Sequence, residues 1–217
     1  MLANHAVSVA FEKIEPVESW TLNVIVEGSG SANPYGSKRY VDGDSVKVVF
    51  TPSSGYIVSD VLLDDVSKGP VSELDVLMDS DHVVKVVFVE AEHTLTIVKS
   101  GEGSYSPVTG KHLHGTHVSI SASPGEGWYL SKVVVDGKSQ TPSNQFTVLM
   151  DADHTVEIVF SQTMHTLTVE KTGKGTVTLT PAGGSYTHGT SVGVTVVPDE
   201  GWELTAFRID GVDSDAR

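Results

Sequence analysis

Two short acidic motifs carry the residue types best suited to chemistry. They are Asp79-x-Asp81-His82 and Asp151-x-Asp153-His154. Two carboxylates beside a backbone carbonyl on a turn could begin a calcium site, since Ca²⁺ prefers oxygen ligands. The alternative is turn chemistry, in which Asp side chains accept hydrogen bonds from nearby backbone N–H groups. A third copy, Leu2-Ala3-Asn4-His5, has no carboxylate and so favours the turn. The candidate calcium ligands are Asp79, Asp81, Asp151 and Asp153.

Histidines form the second candidate cluster, around two His-Gly-Thr turns. His112 and His114 would share one face of a strand, because side chains alternate along a strand. Zinc binding is conceivable there, but the other repeats lack partners at suitable spacing. No Ser-His-Asp order stands out, and the Gly-x-Gly motifs join two strands, which is typical of a turn and not of a phosphate loop. We therefore expect no enzymatic activity and no cofactor. The histidines considered are His112, His114, His117 and His188.

Composition excludes several further classes of function. The 217 residues carry a formal net charge of -14 and no Cys, so disulfides and thiol chemistry are absent. Only three residues are Arg, and clustered basic charge is what phosphate binding needs, so we expect no nucleic-acid partner. No apolar run approaches the roughly 18 residues of a membrane-spanning helix. The acidic charge is spread along the chain, which favours solubility and self-repulsion.

Internal repetition is the dominant feature of the sequence. The block Met78–Phe88 returns as Met150–Phe160 and also opens the chain as Met1–Phe11. Two other blocks recur in register: a Thr-Leu-x-Val/Ile strand followed by Gly-x-Gly, and a Gly-x-x-Val turn followed by Pro-x-x-Gly and an aromatic residue. The period is about 72 residues, which is the scale of one small repeat domain.

The repeats predict four segments. Residues 1–19 carry the last strands of a repeat, 20–92 and 93–164 are complete, and 165–217 is the N-terminal part of a repeat that lacks its last hairpin. The first and last segments together amount to about one repeat. We expect the sequence to be an excerpt of a longer array, a processed product or an engineered cut.

Each repeat is predicted to be a small β-sandwich-like module without helices. Apolar and polar residues alternate with a period of two, and Gly, Pro and Asp-Gly pairs separate the runs. We expect about six strands per repeat, including a hairpin of 166–171 with 176–181 and a final hairpin of 145–150 with 154–160. Links between repeats are short, which favours a stiff linear array.

Three aromatic residues at equivalent positions are predicted to fill the cores. Tyr56, Trp128 and Trp202 each follow a Gly and precede a strand. The alternative is an exposed platform that stacks on sugars, for which Trp20 is a further candidate. Sequence also leaves open an isopeptide crosslink between Lys and Asn as a staple in this Cys-free chain.

The motifs resemble the divergent InlB-B-type repeats of bacterial and archaeal surface proteins, also called the Listeria–Bacteroides repeat group. The elements in common are Gly-x-Gly, Gly-Thr-x-Val, Pro-x-x-Gly-Trp, Val-Asp-Gly and Met-Asp-x-Asp-His-Thr-Val before a closing Phe, and 94–160 carries all of them. The resemblance covers essentially the whole chain. It implies an extracellular or cell-surface, non-catalytic module of stalks, adhesins or matrix. The better-known Listeria repeat is a β-grasp with a helix, whereas no helical period occurs here.

Two classes of function follow from these observations. One is a passive spacer within a surface stalk. The other is self-assembly, in which residues 1–11 of one copy add strands to the incomplete repeat 166–217 of another and chain the copies head to tail into a filament. A carbohydrate-binding or adhesin module is the remaining alternative. The expected partner is the chain itself or neighbouring repeats, and the assembly residues are Met1, Leu2, Val7, Val9 and Phe11.

Overall fold

The computed structural model describes residues 5–13 and 16–214. Every regular element in this part of the chain is a β-strand, which confirms the predicted all-β tandem-repeat fold. None of the described residues forms a helix that is long and apolar enough to cross a membrane. Contacts divide the chain into two compact units: Met1–His93 with Lys111–Thr116 and Met150–Ala152, and the remaining residues through Arg217.

The first complete repeat has eight strands, two more than the sequence predicted. They form a five-stranded sheet in the order β3-β1-β8-β5-β6 and a three-stranded sheet in the order β2-β4-β7. Strand β8 lies in the middle of the larger sheet, parallel to β1 and antiparallel to β5. The strands are β1 Ser19–Glu27, β2 Gly30–Asn33, β3 Gly36–Val41, β4 Ser45–Pro52, β5 Tyr56–Leu63, β6 Val66–Ser67, β7 Glu73–Leu77 and β8 His82–Glu90.

The second complete repeat has the same topology. Its sheets have the orders β11-β9-β16-β13-β14 and β10-β12-β15, so β16 occupies the central position of β8. The strands are β9 Glu92–Ser100, β10 Gly103–Ser106, β11 Gly110–Leu113, β12 His117–Pro124, β13 Trp128–Val135, β14 Lys138–Gln140, β15 Gln145–Leu149 and β16 His154–Gln162.

The alternation in the central strands explains why the core forms where it does. In β8, Val84 and Val86 are fully buried and Phe88 is 3% exposed. Successive side chains of a strand point to opposite faces, so these three lie on the inner face together. They pack with Leu22 and Val48, which are also fully buried, into one apolar core in the first repeat. Each such side chain contributes about 1.5–3 kcal/mol when removed from water.

The two hairpins predicted from sequence are wrong. In the third repeat, strand 175–180 pairs with 193–198 and not with the segment before its Gly-x-Gly turn. In the second repeat, β15 pairs with β12 whereas β16 pairs with β13 and β9, so neighbours in sequence belong to different sheets. Local alternation identifies a strand but not its partner, and these turns carry the chain from one sheet to the other.

The third repeat is open at the position that β8 and β16 occupy. Residues 167–174 and 199–207, which match β1 and β5 in sequence, are not strands. Among the described residues, no strand lies between these two segments. The strands formed are β17 Met164–Thr166, β18 Gly175–Thr180, β19 Ser185–Thr187, β20 Gly193–Pro198, β21 Arg208–Ile209 and β22 Val212–Asp213.

Each link between repeats is fixed by backbone hydrogen bonds. At the first link, the Ala91 N–H donates to the Gly55 carbonyl at 2.8 Å and the His114 N–H donates to the Ala91 carbonyl at 2.8 Å. At the second link, Thr163 takes the place of Ala91. Its N–H donates to the Gly127 carbonyl at 2.8 Å, and its carbonyl accepts the His188 N–H at 2.9 Å. The short links predicted from sequence therefore carry repeated, specific contacts.

Candidate functional site

In each complete repeat, the His of the Asp-x-Asp-His motif contacts an Asp on another turn of the same repeat. In the first repeat, His82 Nδ1 lies 2.6 Å from Asp64 Oδ2, and the other oxygen of Asp64 accepts the Val83 N–H at 2.8 Å. In the second repeat, His154 and Asp136 meet at the same 2.6 Å, and Asp136 accepts the Thr155 N–H at 2.8 Å. We call this arrangement the His–Asp clasp. It ties the start of the central strand to the turn after β5 or β13.

The clasp polarises both partners in the first repeat. The hydrogen bond to Asp64 raises the pKa of His82 above its ordinary value, with Asp79 adding in the same direction. Partial burial alone would raise the pKa of Asp64, but the Val83 N–H, His82 and the Lys68 charge outweigh it and hold that pKa below its ordinary value. The pKa of Asp136 is lowered too, first by the Thr155 N–H and then by His154.

The candidate calcium ligands serve backbone and side-chain hydrogen bonds. Asp81 Oδ1 accepts the Thr21 N–H at 2.6 Å, and Asp153 Oδ1 accepts the Thr94 N–H at 2.7 Å. Asp79 Oδ1 lies 3.1 Å from His82 Nε2. Asp151 has contacts of its own in the described structure. No group of three or more His, Cys, Asp or Glu side chains is arranged to hold a metal within the described ranges.

The four candidate zinc histidines do not come together, and only His114 and His188 lie beside another histidine. His114 Nδ1 lies 3.0 Å from His93 Nε2 in the first link, and His188 Nδ1 lies 3.3 Å from His165 Nε2 in the second. The imidazole Nε2 of His112 is buried without a hydrogen-bond partner in the described part of the chain. His117 is exposed at the start of β12. Among the described residues, neither pair belongs to a group of three or more His, Cys, Asp or Glu side chains that could hold a metal.

The equivalent aromatic residues differ in burial between repeats. Tyr56 and Trp128 are partly buried, and Tyr56 packs against the first core. Trp202 is 50% exposed, because no central strand covers it among the described residues. Trp20, at the position of His93, donates its indole N–H to Asp42 at 2.7 Å.

An open cavity marks the vacant strand position of the third repeat. Its volume is about 310 Å³, and it runs between residues 167–171 on one side and 202–210 on the other. We call it the acceptor groove. Its floor is formed by β18 and β20. In the complete repeats the same place is filled by the central strand. Apolar side chains lining the groove include Leu167, Val169, Val177, Val194, Val196 and Trp202.

Core positions lie open in the acceptor groove. Val169 is 43% exposed, whereas its counterparts Val24 and Ile97 are 2% and 6% exposed. Val194 is 36% exposed, whereas its counterpart Val48 is fully buried. Isolated apolar residues are ordinary on a protein surface, but several exposed residues at core positions, gathered in one groove of mixed polar and apolar lining, are typical of a binding site. The third repeat therefore has apolar residues at core positions, and among the described residues no central strand covers them.

The Gly-x-Gly motif indicates which residue a central strand must bring to the third repeat. A side chain at Gly101 would put its Cβ 2.2 Å from the carbonyl oxygen of Phe160, and one at Gly103 would lie 2.6 Å from the Phe160 ring. The glycines thus make room for the closing Phe of the central strand. In the third repeat, the same space beside Gly173 holds the ring of Trp202, 3.1 Å from a Cβ built at that position.

Residues 5–13 are exposed and form no strand, although 5–11 have the sequence of a central strand. Val7, Val9 and Phe11 are 86%, 66% and 93% exposed. They match Val84, Val86 and Phe88 in sequence, all of which are core residues. The proposed assembly residues Met1 and Leu2 lie outside the described residues.

Sequence reasoning missed the partners that make these sites. Asp64 and Asp136 are 18 residues from the histidines they contact, and neither was predicted to belong to a site. His93 and His165 were missed as well. A positional comparison of the three repeats contains the signal, since an Asp recurs as Asp64, Asp136 and Asp210 at one turn.

Comparison with known families agrees with this architecture. The family model of the divergent InlB B-repeat domain matches residues 93–164 and 165–217, together more than half of the chain. The chain belongs to this family of repeat domains, as the motifs predicted. Such repeats usually occur in cell-surface proteins, and a structural role follows for the repeats. Neither a curated protein nor a solved structure matched the chain significantly.

Proposed function

We propose that this chain is a non-catalytic subunit of an extracellular fibre or stalk, in which residues 5–11 of one copy enter the acceptor groove of another. The observation that carries the proposal is a match between an exposed strand sequence and a vacant strand position in the same chain. Each inserted strand completes the third repeat of the receiving copy. The contact joins two different surfaces, so it propagates head to tail.

The register of insertion follows from the complete repeats. There the central strand runs parallel to β1 and antiparallel to β5. Phe11 then lies over Gly173 and Gly175, as Phe88 lies over Gly28 and Gly30. Val7 and Val9 point inward at the positions of Val84 and Val86.

Two kinds of interaction support such a complex. Main-chain hydrogen bonds to both flanking segments give the affinity of strand addition, and alternate side chains in apolar positions give its specificity. Residues 167–171 and 202–207 carry strand sequences but form no strand in the isolated third repeat. We expect both segments to become strands when the donor arrives, because each then gains a paired neighbour.

Separate blocking of donor and acceptor tests the proposal in the full-length chain. Val9→Asp places a charge on an inward donor position, and Val169→Asp does the same in the acceptor groove. Both valines are exposed in the free chain, so neither change buries a charge before assembly. Sedimentation velocity should show concentration-dependent oligomers for the parent chain, monomers for each variant and a 1:1 heterodimer when the two variants are mixed.

Outward positions supply the matched controls. Ser8→Glu reproduces the residue at the same place in β16, Glu157, and Thr176→Asp changes an exposed position in β18. Both should assemble like the parent chain. A parent chain that stays monomeric at every concentration would falsify the proposal, as would a mixture of the two blocked variants that forms no dimer.

A further inference from the structure

The His–Asp clasp has both of its halves at the proposed junction, but on different copies. His5 occupies the position of His82 and His154 at the start of the donor segment. Asp210 occupies the position of Asp64 and Asp136 at the turn between β21 and β22. The backbone at Asp210 has φ of 52°, beside 50° at Asp64 and 49° at Asp136. The acceptor half of the clasp therefore has its native turn geometry before any strand arrives.

We infer that His5 of the donor copy and Asp210 of the acceptor copy form an intermolecular His–Asp clasp that fixes the register of insertion. This inference rests on the proposed strand donation. A shift of one residue would turn every donor side chain to the other face of the sheet. A shift of two residues would keep the faces, but would separate His5 from Asp210 and move Phe11 away from the glycines. The clasp and the Phe pocket thus define the two ends of one register.

The charged surroundings of the junction clasp differ from those within a repeat. Within the first repeat, His82 faces Asp64 and Asp79, and Lys68 acts on Asp64. At the junction, Leu2 and Asn4 take the places of Asp79 and Asp81, so Asp210 is the carboxylate matched to His5. Nearby, Arg208 is paired with Asp213 at 2.7 Å on the same hairpin as Asp210.

A double-mutant cycle on the heterodimer tests the inference. His5→Gln is placed in the V169D chain, which only donates, and Asp210→Asn in the V9D chain, which only accepts. Asn tolerates the left-handed backbone of this turn, so the local structure is retained. At pH 6 each change should raise the dissociation constant about threefold or more. The two changes together should raise it no further than one alone.

The control is Asp136→Asn in the accepting chain, which disturbs an internal clasp and should leave the junction affinity unchanged. Dimers in which the two substitutions weaken the affinity independently would overturn the clasp while strand donation stands. A mixture without any dimer before these changes would instead overturn the proposed function itself.

Discussion

The second and third repeats have nearly the same sequence in several strand segments, but some of these segments form strands only in the second repeat. Thr94-Leu95-Thr96-Ile97 lies within β9, whereas Thr166-Leu167-Thr168-Val169 leaves the sheet after Thr166. The second repeat has β16 between its flanking strands, and the described third repeat has no counterpart there. The comparison shows that the sequence of this segment is compatible with a strand but does not form one on its own. The central strand stabilises it as a strand, by pairing on both of its edges.

The largest expected difference between the two repeats is at a pair of equivalent glycines, Gly101 in the second repeat and Gly173 in the third. Gly101→Ala would push a Cβ against the backbone of Phe160, whereas Gly173→Ala meets only the movable ring of Trp202. Both glycines have nearly the same φ, 78° and 79°, so backbone strain is matched. In the V9D chain we expect Gly101→Ala to destabilise its repeat by about 3 kcal/mol or more and Gly173→Ala by about 1 kcal/mol. Amide hydrogen exchange resolved by peptide measures each repeat separately.

The same pair sharpens the comparison when the donor is present. Gly173→Ala should abolish insertion into the third repeat, because Phe11 then meets the crowding that Phe160 meets at Gly101. Equal destabilisation by the two substitutions in the free chain would contradict the vacancy of the groove.

The link between repeats gives a smaller, matched effect. A Cβ at Gly127 would lie 2.4 Å from the His188 ring, whereas a Cβ at Gly115 has open space around it. Both residues have positive φ, 72° and 78°. We expect Gly127→Ala to lower stability by about 1–2 kcal/mol more than Gly115→Ala, measured by the urea midpoint. Indistinguishable midpoints would show that the imidazole gives way freely.

The internal clasp gives the smallest effect, and its sign is fixed by the pKa shifts. Because the folded-state pKa of His82 is raised, its contribution is complete below the unfolded-state pKa of about 6.5 and is lost as the pH rises through the folded-state value. The lowered pKa of Asp64 makes its contribution complete above about 4, and lost as the pH falls further. The clasp therefore stabilises most between about pH 4 and 6.5.

Substitution of the histidine tests this window. His82→Gln should cost roughly 0.5–1 kcal/mol at pH 6 and less at pH 8.5, and the effect is small because the Asp64 side chain is 45% exposed. Urea unfolding of the parent chain and the variant across that range measures the difference. A difference that grows with rising pH would reverse the sign argued here.

The sequence predicts the fold class well and the sheet order poorly. Alternation identifies strands such as β8 and the inward side of Val84, Val86 and Phe88, because that signal is local. It does not show that β1 lies beside β8, 60 residues away in the Leu22 to His82 register. The clasp was hidden for the same reason, since Asp64 belongs to a different turn from His82. The donor residues Val7, Val9 and Phe11 were identifiable from repetition, but the acceptor groove required the structure.

A register-specific crosslink tests the central claim most directly, because the chain contains no Cys to interfere. In the complete first repeat, Lys85 pairs with Leu62 across β8 and β5. The matching residues at the junction are Ser8 of the donor and Arg208 of the acceptor. Directly paired residues of antiparallel strands are close enough for a disulfide.

We would mix the V169D chain carrying Ser8→Cys with the V9D chain carrying Arg208→Cys and oxidise them. The account predicts a covalent heterodimer in high yield, and little product when the acceptor Cys is moved to Ile209, on the opposite face. Equal yields from the two acceptor positions, or no covalent dimer from Ser8→Cys with Arg208→Cys, would contradict strand insertion in this register.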